Sequence, residues 1–365
     1  MDAALSRLID QVQTARAAGG ALDIRGGGTK AFYGEAPGEG QRGEPLDVRP
    51  LAGISSYEPS ELVVTVRAGT PLAELEAALA EKGQCLAFEP PRFAEGGTVG
   101  GMVAAGLAGP ARAAVGGVRD FVLGATLLNG RGEVVSFGGQ VMKNVAGYDV
   151  ARLLAGSLGI LGVICEVSLK VLPQPPAVAT LRFELDEATA LKRINEWSGQ
   201  PLPINASAWW EGMLVVRLAG AAAAVQAAQR RLGGERIDDA LAATFWAGLR
   251  DQRDEFFEGA ARAVERGAAL WRLSVPSTAA PLKQSGEQLI EWGGAQRWLC
   301  TSAPPAQLRE AAQLAGGHAT LFRGGDKACG VFAPLSPPLA RIHRELKASF
   351  DPDRVFNRGR LYREL

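Results

Sequence analysis

Histidine is almost missing from this sequence. The 365-residue chain holds two, His318 and His343, which all but excludes a histidine-based metal centre or catalytic triad. Cysteine is sparse as well: Cys85, Cys165, Cys300 and Cys329 lie far apart, with no CxxC pair. That excludes an iron–sulfur cluster or zinc ion held by this chain's thiolates alone, and it suits reduced thiols in cytoplasm. Net charge is absent, since 39 Lys and Arg meet 39 Asp and Glu. The chain has neither the basic footprint of a nucleic-acid binder nor a bulk attraction to an anionic membrane. A long apolar run is lacking too. The best, Leu153 to Cys165, is an uncharged stretch of 13 residues closed by Arg152 and Glu166, against the ~20 a spanning helix needs. Asp2, Arg7 and Asp10 stand where a signal peptide needs its apolar segment, so the expected location is the cytoplasm.

What is abundant is glycine. Gly 46 and Pro 21 make 67 of the 365 residues, well above the roughly 12% of average usage, and the excess falls largely in the first half. With 47% hydrophobic and 21% charged residues, the chain reads as folded and long enough for two domains with a short returning tail. Residues 1–18 have the spacing of an amphipathic helix, with Leu5, Leu8, Ile9 and Val12 on one face. Strands are expected at 21–25, 46–50 and 62–67. A helix opens at Thr70-Pro71-Leu72, with Thr as cap and Pro in the first turn. Strands 121–128 and 133–137 flank Asn129-Gly130-Arg131-Gly132, a strong hairpin turn. Pro173-Gln174-Pro175-Pro176 reads as a boundary. Beyond it, strands and Ala-rich helices alternate twice, from 178 to 232 and from 270 to 334, as two weakly similar α+β halves packed in layers.

Three glycine segments carry the chemistry. Arg25-Gly26-Gly27-Gly28-Thr29-Lys30 follows a strand. Three glycines let backbone amides curl round an anion, Thr29 adds a hydroxyl donor and Lys30 a positive charge. A dinucleotide fingerprint with Asp47 as its acid fails on context, because Phe32 to Gly40 cannot form the helix that the glycines should open. The second segment, Gly96 to Gly109, offers backbone with almost no side-chain cover, as a flat ring or a pyrophosphate requires. The third is Ala155 to Ile164. Each alone also reads as ordinary structure: a flexible turn, a packed small-residue helix, a buried helix–turn–strand. Their succession within the first 165 residues makes them a signal.

With these residues in place, the sequence resembles the vanillyl-alcohol-oxidase (PCMH-type) FAD-binding family, and within it the branch of FAD-binding subunits of glycolate oxidase. The resemblance runs over essentially the whole chain. It rests on Ile24–Lys30, Gly97–Gly109, Gly156–Val163 with Glu166-Val167-Ser168-Leu169-Lys170, and the tail Phe350-Asp351-Pro352 with Phe356-Asn357-Arg358-Gly359. Lys143-Asn144-Val145-Ala146-Gly147-Tyr148-Asp149 separates the branch from its larger, catalytic paralogue. The resemblance implies an α+β fold: a PCMH-type FAD-binding domain over 1–175 (subdomains about 1–55 and 56–175), a ferredoxin-like cap over 176–334, and a segment 335–365 returning to the flavin. It implies that Arg25, Gly26, Gly27, Gly28, Thr29 and Lys30 hold the pyrophosphate. Gly97, Thr98, Val99, Gly100, Gly101, Ala104 and Gly106 would wrap the diphosphate and flavin. Gly156, Gly159, Gly162 and Ile164 would meet the adenine and ribose, and Asn357 would point toward the isoalloxazine.

The family's implied work is oxidation of glycolate- or D-lactate-type 2-hydroxy acids to 2-oxo acids. Its implied partners are the catalytic FAD-binding subunit and the iron–sulfur subunit of glycolate oxidase, with peripheral membrane association at most through them. Departures from the family pattern shape two further expectations. The glycine loop has no His and the second segment no Cys, so the FAD should be non-covalent. Around His318 there is only Leu321-Phe322-Arg323-Gly324-Gly325-Asp326-Lys327, without the clustered histidines of the metal-using dehydrogenases, so no metal is expected. Arg323 is a candidate for the substrate carboxylate, beside the plainer reading of a solvated surface Arg, and no convincing base is found. Two classes therefore compete, a stand-alone 2-hydroxy-acid dehydrogenase and an accessory flavin subunit without substrate chemistry of its own. The lack of clustered histidines and of a cluster-binding cysteine set favours the second, a chain that works within a glycolate-oxidising assembly.

Overall fold

The computed structural model describes residues 2–36, 38, 41, 43–139 and 149–365. Helix α1 (Ala3–Ala17) is capped by Asp2, whose side chain accepts from the Ala4 amide, and buries Leu8 and Val12. It packs over a small parallel pair, β1 (Leu22–Arg25) and β2 (Glu44–Asp47), in register from Leu22↔Glu44 to Arg25↔Asp47. The glycine loop lies in the crossover between these strands.

The next layer is a five-stranded antiparallel sheet built from β3 (Ile54–Glu58) and β4 (Val63–Arg67), then, beyond helices α2 (Leu72–Ala80) and α3 (Val99–Ala105), from β5 (Val122–Leu128), β6 (Val134–Gly138) and β7 (Val163–Lys170). Its strand order is β3-β4-β7-β5-β6. Leu72, Leu75 and Leu79 of α2 and Val99, Met102 and Val103 of α3 fill the core against it. Burying each such side chain is worth about 1.5–3 kcal/mol. Thr70 does not cap α2 as expected. Pro71 is the N-cap residue, and the Thr70 hydroxyl instead donates to the Arg67 carbonyl (2.7 Å) while accepting from the Gly53 amide (2.9 Å). The hydroxyl thus ties two strand ends together, a demand no local pattern announces. Of the Lys143–Asp149 segment, residues 143–148 lie outside the described residues.

The second half forms one eight-stranded antiparallel sheet. Its first part runs β8 (Ala177–Glu184), α4 (Glu187–Ser198), β9 (Ile204–Trp210), β10 (Met213–Gly220), α5 (Ala222–Leu232) and β11 (Glu235–Ile237). Helices α6 (Asp239–Asp251) and α7 (Glu255–Glu265) intervene. The second part runs β12 (Ala269–Ser274), β13 (Glu287–Glu291), β14 (Gln296–Thr301), α8 (Pro305–Leu314) and β15 (His318–Gly324). Strand order is β11-β8-β10-β9-β13-β14-β12-β15. The first part is a full ferredoxin-like βαββαβ unit, and the second repeats it without the first helix. The expected two halves are there, fused edge to edge through β9 and β13. That seam holds two residue pairs, Ala208↔Glu291 and Trp209↔Ile290.

Helix α9 (Pro337–Phe350) carries the chain back to the N-terminal layer, where Leu22 bridges Phe356 and its amide donates to the Val355 carbonyl (2.7 Å). Among the described residues no helix is long and apolar enough to cross a membrane.

Candidate functional site

A cleft of about 340 Å3 runs between the β1–β2 layer and the N-terminal end of α3. Strand β1 delivers the chain into it at Arg25, and the glycine loop forms one rim. Among the described residues the amides of Gly26, Gly27 and Gly28 find no protein acceptor. Gly28 sits at φ +71°, the left-handed region that lets successive amides converge on one point. A Cβ added at Gly28 would meet open space, whereas one at Gly27 would overlap the Gly96 carbonyl oxygen and one at Gly26 the Thr98 hydroxyl. So Gly26 and Gly27 are small because two glycine segments touch there, and Gly28 because of its backbone.

Lys30 stands beside this rim with its ammonium 3.4 Å from the Thr29 hydroxyl and 5.7 Å from the Phe93 ring centroid. Burial, offset in part by Asp251, pulls its pKa down to about 8. No salt bridge to Lys30 exists among the described residues. A half-buried cation without a bonded counter-ion, beside free amides, is a fitting seat for a phosphate group.

The opposite wall is α3 and the third glycine segment. Thr98 caps α3 by accepting from the Gly101 amide (3.2 Å), and Gly100, Gly101 and Ala104 line the cleft beside it. Gly101 leaves the helix backbone bare and Ala104 adds only a methyl, while Gly100 also makes room for Ala68, whose Cβ would lie 2.6 Å from an added Cβ. Gly159, Gly162 and Ile164 also reach the cleft. Gly97, Val99, Gly106 and Gly156 do not line it. Gly97 packs beside Thr29, and Val99 is core. A Cβ at Gly106 would come within 2.7 Å of the Gly156 amide nitrogen, so this pair serves the close approach of two backbones.

Asn357, at φ +41°, lines the cleft but is occupied. Its Oδ1 accepts from the Ile24 amide (2.8 Å) and its Nδ2 donates to the Leu158 carbonyl (2.7 Å). It is a strut between β1 and the third segment. The sequence reading missed Arg360, which lines the cleft and donates to the carbonyls of Lys30, Ala31 and Tyr33. It clamps the loop from the tail, and only its place beside Asn357 in the tail motif hinted at it.

Arg323 is half-buried and does not line this cleft. Its guanidinium stacks 3.7 Å from the Phe32 centroid and donates to Gln252 Oε1 (3.2 and 3.3 Å). Burial lowers its pKa to about 10. No acidic partner lies beside it among the described residues. The rejected fingerprint acid, Asp47, is held by Arg49 (2.8–3.1 Å), which lowers its pKa.

Chemically, the cleft can take an elongated group with an anionic middle and flat apolar parts, held mainly by backbone. Among the described residues no histidine or cysteine lines it. The comparisons agree with that chemistry. An FAD binding domain family model matches residues 5–138. The chain is 49% identical to glycolate oxidase subunit GlcE of Escherichia coli (strain K12) over 358 residues, 98% of this chain and 97% of that protein. It is 33% identical over 158 residues to glycolate oxidase subunit GlcD of Bacillus subtilis (strain 168), covering 43% of this chain and 33% of that one. A D-lactate dehydrogenase of Anaerostipes hadrus matches at 30% over 221 residues, 60% of this chain and 45% of that protein. Among solved structures, alkyldihydroxyacetonephosphate synthase superposes with TM-score 0.63 over 99% of this chain and 76% of its own, at 16% identity. That last likeness is one of fold.

Proposed function

Because the chain belongs to the family of glycolate oxidase subunit GlcE, FAD-binding proteins of the PCMH type, we propose that it is the FAD-binding subunit of a glycolate-oxidising complex, with its FAD bound non-covalently. Residues 1–175 would hold the cofactor, 176–334 cover it, and 335–365 lock the site from behind. The observation that carries this reading is the rim of free amides at Gly26–Gly28 with Lys30 beside it. These would bind the pyrophosphate, and each charge-assisted hydrogen bond there is worth about 1.5–3 kcal/mol. Bound FAD supplies a two-electron acceptor for a 2-hydroxy acid of the glycolate or D-lactate type. The bare backbone of Gly101 and the lone methyl of Ala104 let the cofactor lie close, and Arg360 and Asn357 keep the loop and the third segment from parting. The absence, among the described residues, of any histidine or cysteine on the cleft wall supports a dissociable cofactor.

The relatives' names, glycolate oxidase subunits GlcE and GlcD, support a complex; its other members would be a larger, catalytic flavin subunit and an iron–sulfur subunit that takes the electrons onward. The chain would work on the cytoplasmic side, attached to a membrane only through them. The test has two steps. Purified chain should show flavin absorbance, and acid precipitation should send all of it to the supernatant; flavin on the pellet would overturn the non-covalent reading. Anaerobic addition of glycolate should then bleach flavin and reduce the iron–sulfur centre when the three subunits are combined. A complex that assembles without this chain and reduces its clusters just as fast would sink the subunit reading.

A further inference from the structure

A second, smaller cavity opens where the cap meets the N-terminal module. The cleft and this cavity are neighbours along the chain: Ala104 and Ala105 line the first, Leu107, Ala108 and Gly109 the second. Its cap side is formed by the β13–β14 turn and β12. Trp292 docks that turn, its indole donating to the Gly109 carbonyl (3.0 Å) while Arg112 stacks on its ring at 4.6 Å. One residue earlier stands Glu291, 4% exposed. Its Oε2 accepts from the Trp298 indole (2.6 Å) and from Gln296 Nε2 (3.0 Å), while Oε1 has no bond among the described residues. Two buried polar atoms of lining residues are also without a hydrogen-bond partner among the described residues: Gln296 Oε1, on a residue 2% exposed, and Arg272 Nε. Arg272 is otherwise held by the Tyr33 hydroxyl (3.0 Å).

Orphaned polar groups on residues that line one small space call for a partner that answers each of them. We propose that Glu291, Gln296 and Arg272 form the binding site of a small 2-hydroxy carboxylate, Arg272 taking its carboxylate and Glu291 its hydroxyl proton. The proposal rests on the FAD-binding reading above. Oxidation at the hydroxyl carbon removes one proton and one hydride. Glu291 would take the O–H proton, and FAD, held by the glycine-lined cleft, would supply the acceptor for the hydride, so that the products would be a 2-oxo acid, reduced flavin and a protonated Glu291. As the side chains stand, the cavity has about 20 Å3 of room, about one water's worth, so an acid of this class enters only as the lining side chains move apart, and the smallest acid demands the least movement. Glycolate should bind better than D-lactate.

Charge around Glu291 sets the pH dependence. Burial, Asp254 and Glu89 push its pKa up to about 7, against the two hydrogen bonds to Oε2. Arg250 and Arg272 line the same cavity. Above pH 7 the ionised carboxylate accepts a hydroxyl proton; below it, it cannot. Acetate has no hydroxyl and is only repelled by the ionised form.

The experiment uses the full FAD-loaded chain with its flavin chemically reduced, so that glycolate binds without turnover. Calorimetric titrations with glycolate and acetate from pH 6 to 8 should show the glycolate-to-acetate affinity ratio rising about tenfold, as one charge-assisted hydrogen bond allows. Glu291→Gln should flatten that rise while keeping FAD, and Arg272→Lys should weaken both anions. A flat ratio in the unmutated chain, or no binding of either anion by a chain that holds FAD, overturns the site alone. A chain that holds no FAD overturns the cofactor reading first and the site with it.

Discussion

Gly27 and Gly28 are neighbours with different vulnerabilities. The sequence suggests that a branched residue at either would empty the site and spare the fold. The structure separates them, because a Cβ at Gly27 overlaps the Gly96 carbonyl while one at Gly28 is free but strained at φ +71°. Gly28→Ala should cost about 1–2 kcal/mol, keep a cooperative melt and lose FAD affinity. Gly27→Ala should pry the two glycine segments apart and lower the cofactor-free melting temperature further than Gly28→Ala does. Thermal melts of the FAD-free proteins, beside FAD titrations, separate the two, and equal melting temperatures would contradict the assignment. Glycines are legible in a sequence because their side chain is nothing but conformational licence. Which glycine serves a ligand and which a neighbour depends on residue 96, far along the chain. Glu291 and Arg360 escaped for the same reason: long-range packing gives them their surroundings, and no local spacing marks them.

Among the elements, α9 does the most at a distance. Lys347, 3% exposed, donates to the carbonyls of Ile160 (2.7 Å) and Phe356 (2.9 Å) and pairs with Asp351 (2.7 Å). Asp351 in turn accepts from the amides of Val355 and Phe356. The helix thereby fixes the tail that brings Asn357 and Arg360 to the cleft. Lys347→Met would leave Asp351 buried and unpaired, a loss of about 3–5 kcal/mol, and should weaken FAD as well. Urea unfolding with and without FAD measures both, and a variant as stable as the parent would refute the role given to this pair. The periods of α1 and α2 were readable because each helix buries one apolar face. The expected Thr70 cap failed where a tertiary bond outbid a local one.

At the scale of the whole molecule, two ferredoxin-like halves were readable as a repeated rhythm of strands and helices, but their fusion into one sheet was not, since strand order is written in contacts between distant residues. The cap meets the module through single bonds at several points: Trp292 to Gly109, Arg217 to Glu89 (2.7 Å) and Lys327 to the carbonyls of Phe32 and Gly34 (2.7 Å each). The seam between the halves has two residue pairs, against eight where β8 meets β10. A ladder that short is where the sheet should breathe. Amide hydrogen exchange ought to run ahead at Ala208, Trp209 and Ile290 through sub-global opening, while the β8–β10 amides wait for global unfolding. Uniform protection across the sheet would mean that the halves open as one. Since Glu291 is one of the seam's paired residues, each opening would also loosen the hold on its carboxylate, and a ligand resting there would slow the clock at the seam before anywhere else.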